Sequence, residues 1–292
     1  MKGKIIKLVG GIYTVKCFED NKIHTVKPKG VFRYHSITPK VGDDVEFNES
    51  TILKLMDRKN TFVRPQISNV DYCLLVTSLK SPDLSLELLD RFLINIIRSD
   101  VEPIIIITKC DLGTPEELEK VKEYMSYYSK YYKVFYSSKE GMANRDEFDK
   151  LLKGKISVLS GQTGAGKSHL LNTIYPELGL ETQEISKALG RGKHTTRETT
   201  LYEIGEKYIA DTPGFSSLEF FDIEPTDLKE YFPEFVELLN KCKYNQCLHI
   251  SEPGCIVKEK VANSEILKSR YDSYLKIYTE LKNNKPVYRR DK

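Results

Sequence analysis

Gly161-Gln162-Thr163-Gly164-Ala165-Gly166-Lys167-Ser168 is an uninterrupted G-x-x-x-x-G-K-[ST] run, and its surroundings decide the fold. The β-rich stretch Ile156–Leu159 precedes it and a helical stretch at 167–174 follows. In that strand–loop–helix context glycines let successive backbone N–H groups turn inward around phosphate oxygens, at a helix N-terminus whose dipole favours anions. Lys167 is expected to reach the β- and γ-phosphates and Ser168 to ligate Mg²⁺. Downstream, Thr199–Ile204 and Tyr208–Ala210 read as a hairpin around Gly205-Glu206 that ends at Asp211. Asp211-Thr212-Pro213-Gly214 then fits D-x-x-G. Asp211 is placed to hold Mg²⁺ through water, and Gly214 to offer its N–H to a γ-phosphate whose loss would release the loop.

Upstream of the phosphate loop, alternating strands and helices begin at Val70. Val70–Thr77 reads as a strand, Leu86–Arg98 as an amphipathic helix with Leu89, Leu93 and Ile97 on one face, and Pro103–Thr108 as a buried strand. Thr114-Pro115-Glu116-Glu117 opens the next helix with a cap, a proline and early acids. Val134–Tyr136 is a strand and Arg145–Leu152 a short helix. The whole is an α/β sheet with helices on both faces. At the end of the buried strand stands Thr108-Lys109-Cys110-Asp111, the best candidate for a guanine-specificity motif. It lies more than fifty residues before the phosphate loop. In an ordinary GTPase that motif comes last, so the chain reads as a circularly permuted GTPase.

Asp111 supplies the carboxylate that can accept paired hydrogen bonds from guanine N1–H and its N2 amino group, donors adenine does not offer. Lys109 would lay its stem along the base. Thr108 replaces the usual Asn, which removes an amide that braces the loop and predicts modest nucleotide affinity. Ser137-Ser138-Lys139 follows the next strand, where a backbone contact to the guanine oxygen is expected. The segment Gly190–Arg197 occupies the place of switch I. Thr195 and Thr196 both offer a hydroxyl and carbonyl for Mg²⁺ and the γ-phosphate, and Thr196 is favoured. The residue after D-x-x-G is Phe215, where many GTPases carry a water-orienting Gln. Unassisted hydrolysis is therefore expected to be slow, with His194 the nearest polar candidate to complete the site.

The flanks differ from this centre. Residues 1–64 hold 13 Lys+Arg against 7 Asp+Glu, residues 65–221 hold 19 against 23, and residues 222–292 hold 13 against 12. Basic flanks around a mildly acidic centre suit a polyanion held at both ends. Within 1–64, Ile5–Leu8, Ile12–Cys17, Ile23–Lys27 and Asp44–Phe47 are β-rich and broken by Gly10-Gly11, Asp20-Asn21 and Pro39–Gly42. Five short strands in this length suit an oligonucleotide-binding (OB) barrel, with an SH3-like barrel as the runner-up. Residues 222–292 read as helical, with a tail helix around Ser264–Leu281. They contain Cys242-x4-Cys247-x-His249-x5-Cys255, a Cys₃His set for one structural, tetrahedral Zn²⁺ with no open position.

Met1-Lys2-Gly3-Lys4 leads into no secretory signal, and the longest aliphatic run, Ile104–Ile107, is too short to span a bilayer. The uneven cysteines do not form a disulfide framework, so a cytoplasmic, non-membrane protein is expected. Two other classes compete with a GTPase. One is a P-loop ATPase or kinase in which T-K-C-D is coincidental. The other is a zinc-stabilised RNA-binding protein without turnover, against which the intact Lys167, Ser168 and Asp211 speak.

The motif order T-K-C-D, G-Q-T-G-A-G-K-S, G-R-G-K-H-T-T-R, D-T-P-G-F and then Cys-Cys-His-Cys resembles the circularly permuted RsgA (YjeQ-type) GTPases, across essentially the whole chain. The resemblance implies an OB domain at 1–64, a permuted GTPase domain at 65–221 and a zinc-binding helical domain at 222–292. It further implies binding to the small ribosomal subunit; that subunit and its rRNA and GTP/GDP are the expected partners, and a monomer is expected. Hydrolysis would be stimulated by the subunit, late in its maturation.

Overall fold

The computed structural model describes residues 1–30, 32, 37–62, 66–179, 200–211 and 223–283, with the side chains of Glu177 and Asp211 excepted. Strands β1 (Lys2–Val9), β2 (Ile12–Cys17), β3 (Ile23–Pro28), β4 (Asp44–Phe47) and β5 (Thr51–Leu55) come first. Gly10 and Gly11, at φ +56° and +79°, make the tight β1–β2 turn. β1 pairs with both β2 and β4, and β3 runs parallel to β5, which gives the closed order β1-β2-β3-β5-β4-β1. That order is the five-stranded Greek-key barrel of an OB fold rather than the SH3-like alternative. Alternation sends Ile5, Val15, Val45 and Ile52 inside, all at 0% exposure.

The centre is built from β6 (Tyr72–Ser78), α1 (Leu86–Ile97), β7 (Glu102–Thr108), α2 (Pro115–Tyr128), β8 (Lys133–Ser138), β9 (Gly141–Met142), α3 (Arg145–Leu151), β10 (Ile156–Ser160), α4 (Lys167–Ile174), β11 (Thr200–Ile204) and β12 (Lys207–Asp211). Thr114 and Glu117 close a reciprocal capping box at the start of α2, with Pro115 in the first turn. The strand order is β11-β12-β10-β6-β7-β8-β9. Strands β12, β10, β6, β7 and β8 are parallel. β10, which feeds the phosphate loop, is buried throughout between β12 and β6. One sheet face packs Leu75, Ile105 and Ile107 against α1 and α2 through Leu93 and Met125. The other packs Val76, Ile106 and Leu159 against α3 and α4 through Phe148 and Leu171.

Lys7 of β1 pairs with Thr200 of β11, so the barrel continues the central sheet and β11 carries it on one edge. Lys16 to Glu203, at 3.1 Å, adds an ion pair across the same seam.

The helical region expected beyond Phe221 is present, with its cysteines in the turns between its first two helices. From Ile223 to Cys255 the chain makes a 3₁₀ turn at Leu228–Tyr231, a single-turn helix α5 (Pro233–Val236) and a run of turns. Pro225, Pro233 and Pro253 remove backbone donors there, and Asn240 and His249 adopt positive φ. Helix α6 (Ile256–Ala262) ends just before Ser264 at φ +61°, so the tail helix α7 begins later than expected and spans Lys268–Asn283.

Helix α7 docks on α1 through a buried ion cluster. Arg270, 1% exposed, donates from Nε and Nη2 to both oxygens of Glu234 at 2.7 and 3.0 Å, and from Nη1 to Asp90 at 2.6 Å. Tyr128 donates to the same Asp90 oxygen at 2.7 Å. Burial pushes the Asp90 carboxyl above its ordinary range, while the Arg270 charge acts in the opposite direction. Such a cluster contributes orientation more than net stability, because desolvating three charges offsets much of their attraction.

Candidate functional site

The parallel strands aim their carboxyl ends at one crevice, the usual ligand position in an open α/β sheet. A cleft of about 420 Å³ opens there, and the two sequence motifs face each other across it. Thr108, Lys109, Asp111, Ser137 and Ser138 line one side. Gly164, Gly166, Lys167 and Ser168 line the other.

The loop after β10 has the shape it has because its glycines permit it. Gly161 sits at φ +128°, and a Cβ there would meet the Val76 carbonyl oxygen at 1.9 Å. No other residue fits that close approach. Gly164 and Gly166 also have positive φ, and Gly166 immediately precedes α4. Lys167 Nζ donates to the carbonyls of Gly161 and Gln162 at 2.8 and 3.0 Å, at the floor of the loop. Gln162, Thr163 and Ala165 belong to the loop but stand outside the cleft lining. Ala165 is fully buried and packs into the core beneath.

The T-K-C-D segment is wired into this loop. The Thr108 hydroxyl, on a residue 4% exposed, donates to the Ala165 carbonyl at 2.6 Å. The expectation that Thr108 forgoes a brace is therefore corrected: a hydroxyl performs at this distance what an amide was expected to do. Lys109, in the left-handed region at φ +56°, donates from Nζ to the Gly164 carbonyl at 2.8 Å and to the Ser81 carbonyl. Cys110 stands outside the cleft lining. Its thiol points back to the Ile107 carbonyl at 3.4 Å, and burial pushes its pKa up. Asp111 Oδ1 accepts the Lys139 N–H at 3.2 Å, which ties the T-K-C-D turn to the Ser137–Lys139 turn. Ser137 donates to the Gly141 carbonyl at 3.1 Å, and Ser138 Oγ accepts from Glu140 N–H at 3.1 Å, so both hydroxyls brace their own turn.

Sequence reasoning did not single out Leu112, His169 or Leu170, which also line the cleft. Leu112 follows Asp111 directly, and an apolar residue between Asp111 and Gly113 is the sequence signal that could have found it; the structure leaves it 56% exposed. Ser81 as a carbonyl partner of Lys109 had no signal, because a backbone acceptor carries no residue type. Asp211 ends β12 opposite Thr200, with its side chain outside the described atoms. His194, Thr195, Thr196, Gly214 and Phe215 lie outside the described residues.

The second cluster lies in the C-terminal turns. The donor atoms of Cys242, Cys247, His249 and Cys255 all lie within 4.8 Å of one another. His249 Nδ1 faces the sulfurs, at 3.6 Å from Cys242 and 3.3 Å from Cys255. Its Nε2 is buried with no hydrogen-bond partner among the described residues. Tyr271 and Tyr274 hydroxyls hold the carbonyls of His249 and Leu248 at 2.7 and 2.6 Å, which fixes the turn that presents the imidazole. Burial pushes the Cys247 thiol up to about 12. Burial, helped by Lys229, pushes His249 down to about 4. A neutral imidazole is the form that ligates, and a bound dication would reverse the cost of deprotonating the thiols. Zn–S bonds of about 2.3 Å place tetrahedral ligand atoms under ~4 Å apart, so this set could hold a zinc ion with little adjustment.

Comparison with known proteins points to a GTPase family. Residues 55–221 match the family model described as RsgA GTPase, and residues 2–52 match the RsgA N-terminal domain. "Small ribosomal subunit biogenesis GTPase RsgA 2" of Oceanobacillus iheyensis is 45% identical over 98% of this chain and 99% of its own length. The crystal structure of YjeQ from Thermotoga maritima superposes with a TM-score of 0.85 at 36% identity, covering 97% of this chain and 99% of that one. That of YloQ, titled a circularly permuted GTPase, superposes with a TM-score of 0.82 at 37% identity, covering 98% and 96%.

Proposed function

The chain belongs to the RsgA GTPase family and is a GTP hydrolase, and from that premise we propose that it binds the small ribosomal subunit and hydrolyses GTP in a subunit-stimulated manner late in that subunit's maturation. The relatives' printed name, small ribosomal subunit biogenesis GTPase, supports the partner. The observation that carries the chemistry is the meeting of T-K-C-D and the phosphate loop across one cleft, joined by the Thr108 and Lys109 hydrogen bonds. The site would work as follows.

Asp111 selects guanine, positioned by its bond from Lys139 N–H, and the Lys109 stem covers the base. Backbone N–H groups of 161–168 cradle the phosphates. Lys167 exchanges the two loop carbonyls for β- and γ-phosphate oxygens and neutralises charge as the terminal phosphoryl group leaves for water, giving GDP and phosphate. Ser168 and Asp211 would hold Mg²⁺, which screens the same charge. Thr196 and Gly214 sense the γ-phosphate, and His194 orients the attacking water once the chain docks on the small subunit. The Cys₃His set would hold one structural Zn²⁺. A cytoplasmic monomer with domains at 1–64, 65–221 and 222–292 completes the reading. Among the described residues no helix is long and apolar enough to cross a membrane.

Phosphate release measured with and without purified small subunits tests this reading. The chain alone should turn over at about 10⁻⁴ to 10⁻² per second, with a large increase on adding subunits. His194→Ala should keep nucleotide and subunit binding and lose most of the stimulation, whereas Lys167→Ala should lose nucleotide binding. No stimulation of the parent protein by small subunits would overturn the partner. Undiminished stimulation of His194→Ala would reassign the water to another group.

A further inference from the structure

The barrel carries a second group of metal-ligating side chains, remote from the nucleotide cleft and from the Cys₃His cluster. Cys17 closes β2, Asp20 lies in the turn that follows, and His24 lies in β3. Strand register explains why they meet. Val15 pairs with His24 and Lys16 with Ile23, and Cys17 N–H donates to the Lys22 carbonyl at 2.9 Å. Cys17 and His24 are thus diagonal neighbours on the same, inward face of the hairpin. The turn bends Asp20 back over them, because its Oδ1 accepts the Lys22 N–H at 2.9 Å. Its Oδ2 then stands 3.6 Å from His24 Nε2, longer than a hydrogen bond. One donor atom from each of the three residues lies within 4.8 Å of the others.

Two further observations separate this group from an ordinary hairpin turn. His24 Nε2 is buried and has no hydrogen-bond partner among the described residues, a situation that buried imidazole nitrogens seldom accept. The ring itself is fixed, packed edge-on against Phe47 with centroids 5.2 Å apart. The Cys17 thiol stands within 4.8 Å of the Asp20 carboxyl.

We propose that Cys17 Sγ, an Asp20 carboxylate oxygen and His24 Nε2 form a second divalent-metal site of the zinc class, with the fourth position open to solvent. One soft sulfur, one imidazole and one carboxylate suit Zn²⁺. A thiolate and a carboxylate together carry two negative charges and balance the dication. Three ligands instead of four, with one on an exposed turn, make the site weaker than the Cys₃His set and able to exchange. Asp20 is exposed, so the open position faces outward on the barrel. The site would fasten the β2–β3 hairpin and leave its metal free to take an external oxygen donor.

Co²⁺ titration of the full chain, with the tighter site first filled with Zn²⁺, tests this. The expected result is a thiolate-to-cobalt charge-transfer band that saturates at one further equivalent, is absent in Cys17→Ser, and is displaced by Zn²⁺. Cys17 is buried and its substitution could disturb folding, so Asp20→Asn is the second variant. Its amide oxygen still accepts from Lys22 N–H and keeps the turn, while the ligand charge is gone. The variant should retain GTP binding and bind the second metal at least about 10-fold more weakly. No additional thiolate–cobalt band in the parent, or a band that Asp20→Asn leaves at full affinity, would overturn the site.

Discussion

Replacing Thr108 by Val removes one hydroxyl and changes the shape of the side chain very little. In the parent that hydroxyl donates to the Ala165 carbonyl at 2.6 Å, inside a buried contact between the T-K-C-D turn and the phosphate loop. Valine leaves a buried acceptor without its donor, at a penalty of about 1–3 kcal/mol. The loop can recover part of this by turning the carbonyl toward water, and turning it also rotates the neighbouring N–H groups away from the phosphates. The penalty therefore falls mainly on the nucleotide-bound form. Dissociation constants for GDP and GTP should rise together by roughly 5- to 140-fold, at 1.4 kcal/mol per factor of ten. Thr108→Ser keeps the donor and should bind close to the parent, and Thr108→Asn should bind as well or better, since its amide can reach the same carbonyl. Fluorescent guanine nucleotides give the constants, and a thermal melt of the nucleotide-free chain separates loss of fold from loss of loop order. If Val binds GDP as tightly as Ser and the parent, the hydroxyl does not brace the loop.

Three other outcomes follow from the geometry. Asp111→Asn should weaken GTP binding and favour xanthosine triphosphate, whose C2 oxygen suits an amide donor; competition binding with the two nucleotides decides it. Cys247→Ser should lower bound zinc by one equivalent and loosen Ile223–Cys255, since metal binding and local folding are coupled in small metal-held regions, as elemental analysis and amide exchange would show. Arg270→Met strands the Asp90 and Glu234 carboxylates in the core and should destabilise the chain by about 3–5 kcal/mol in urea unfolding; a loss below about 1 kcal/mol would mean the carboxyls simply take up protons.

Local motifs were readable because each carries its own backbone requirement. Gly161 to Ser168 can only be a phosphate loop when a strand enters and a helix leaves, and that context is written in adjacent residues. The permutation was readable too, since it is a matter of chain order alone. So was the Cys₃His set, whose four donors fall within fourteen residues. Helix α2 was legible from its cap, Thr114 with Pro115, because capping is satisfied within one turn.

Other features depended on residues far apart in the chain, and no local signal encodes them. Closure of the barrel as an OB fold rests on β1 pairing across to β4 and on the parallel β3–β5 contact, which a strand pattern leaves undetermined. The helical reading beyond Phe221 left the turns around the cysteines unspecified, because four clustered donors and three prolines outweigh helix propensity over much of Ile223–Cys255. Nothing local in the sequence singles out Arg270, and only the docking of α7 on α1 buries it against Asp90, 180 residues away in sequence. Thr108 read as a departure from the usual Asn. Whether a shorter side chain can still reach the phosphate loop is a question of distance between β7 and the segment after β10, and tertiary packing alone sets that distance at 2.6 Å.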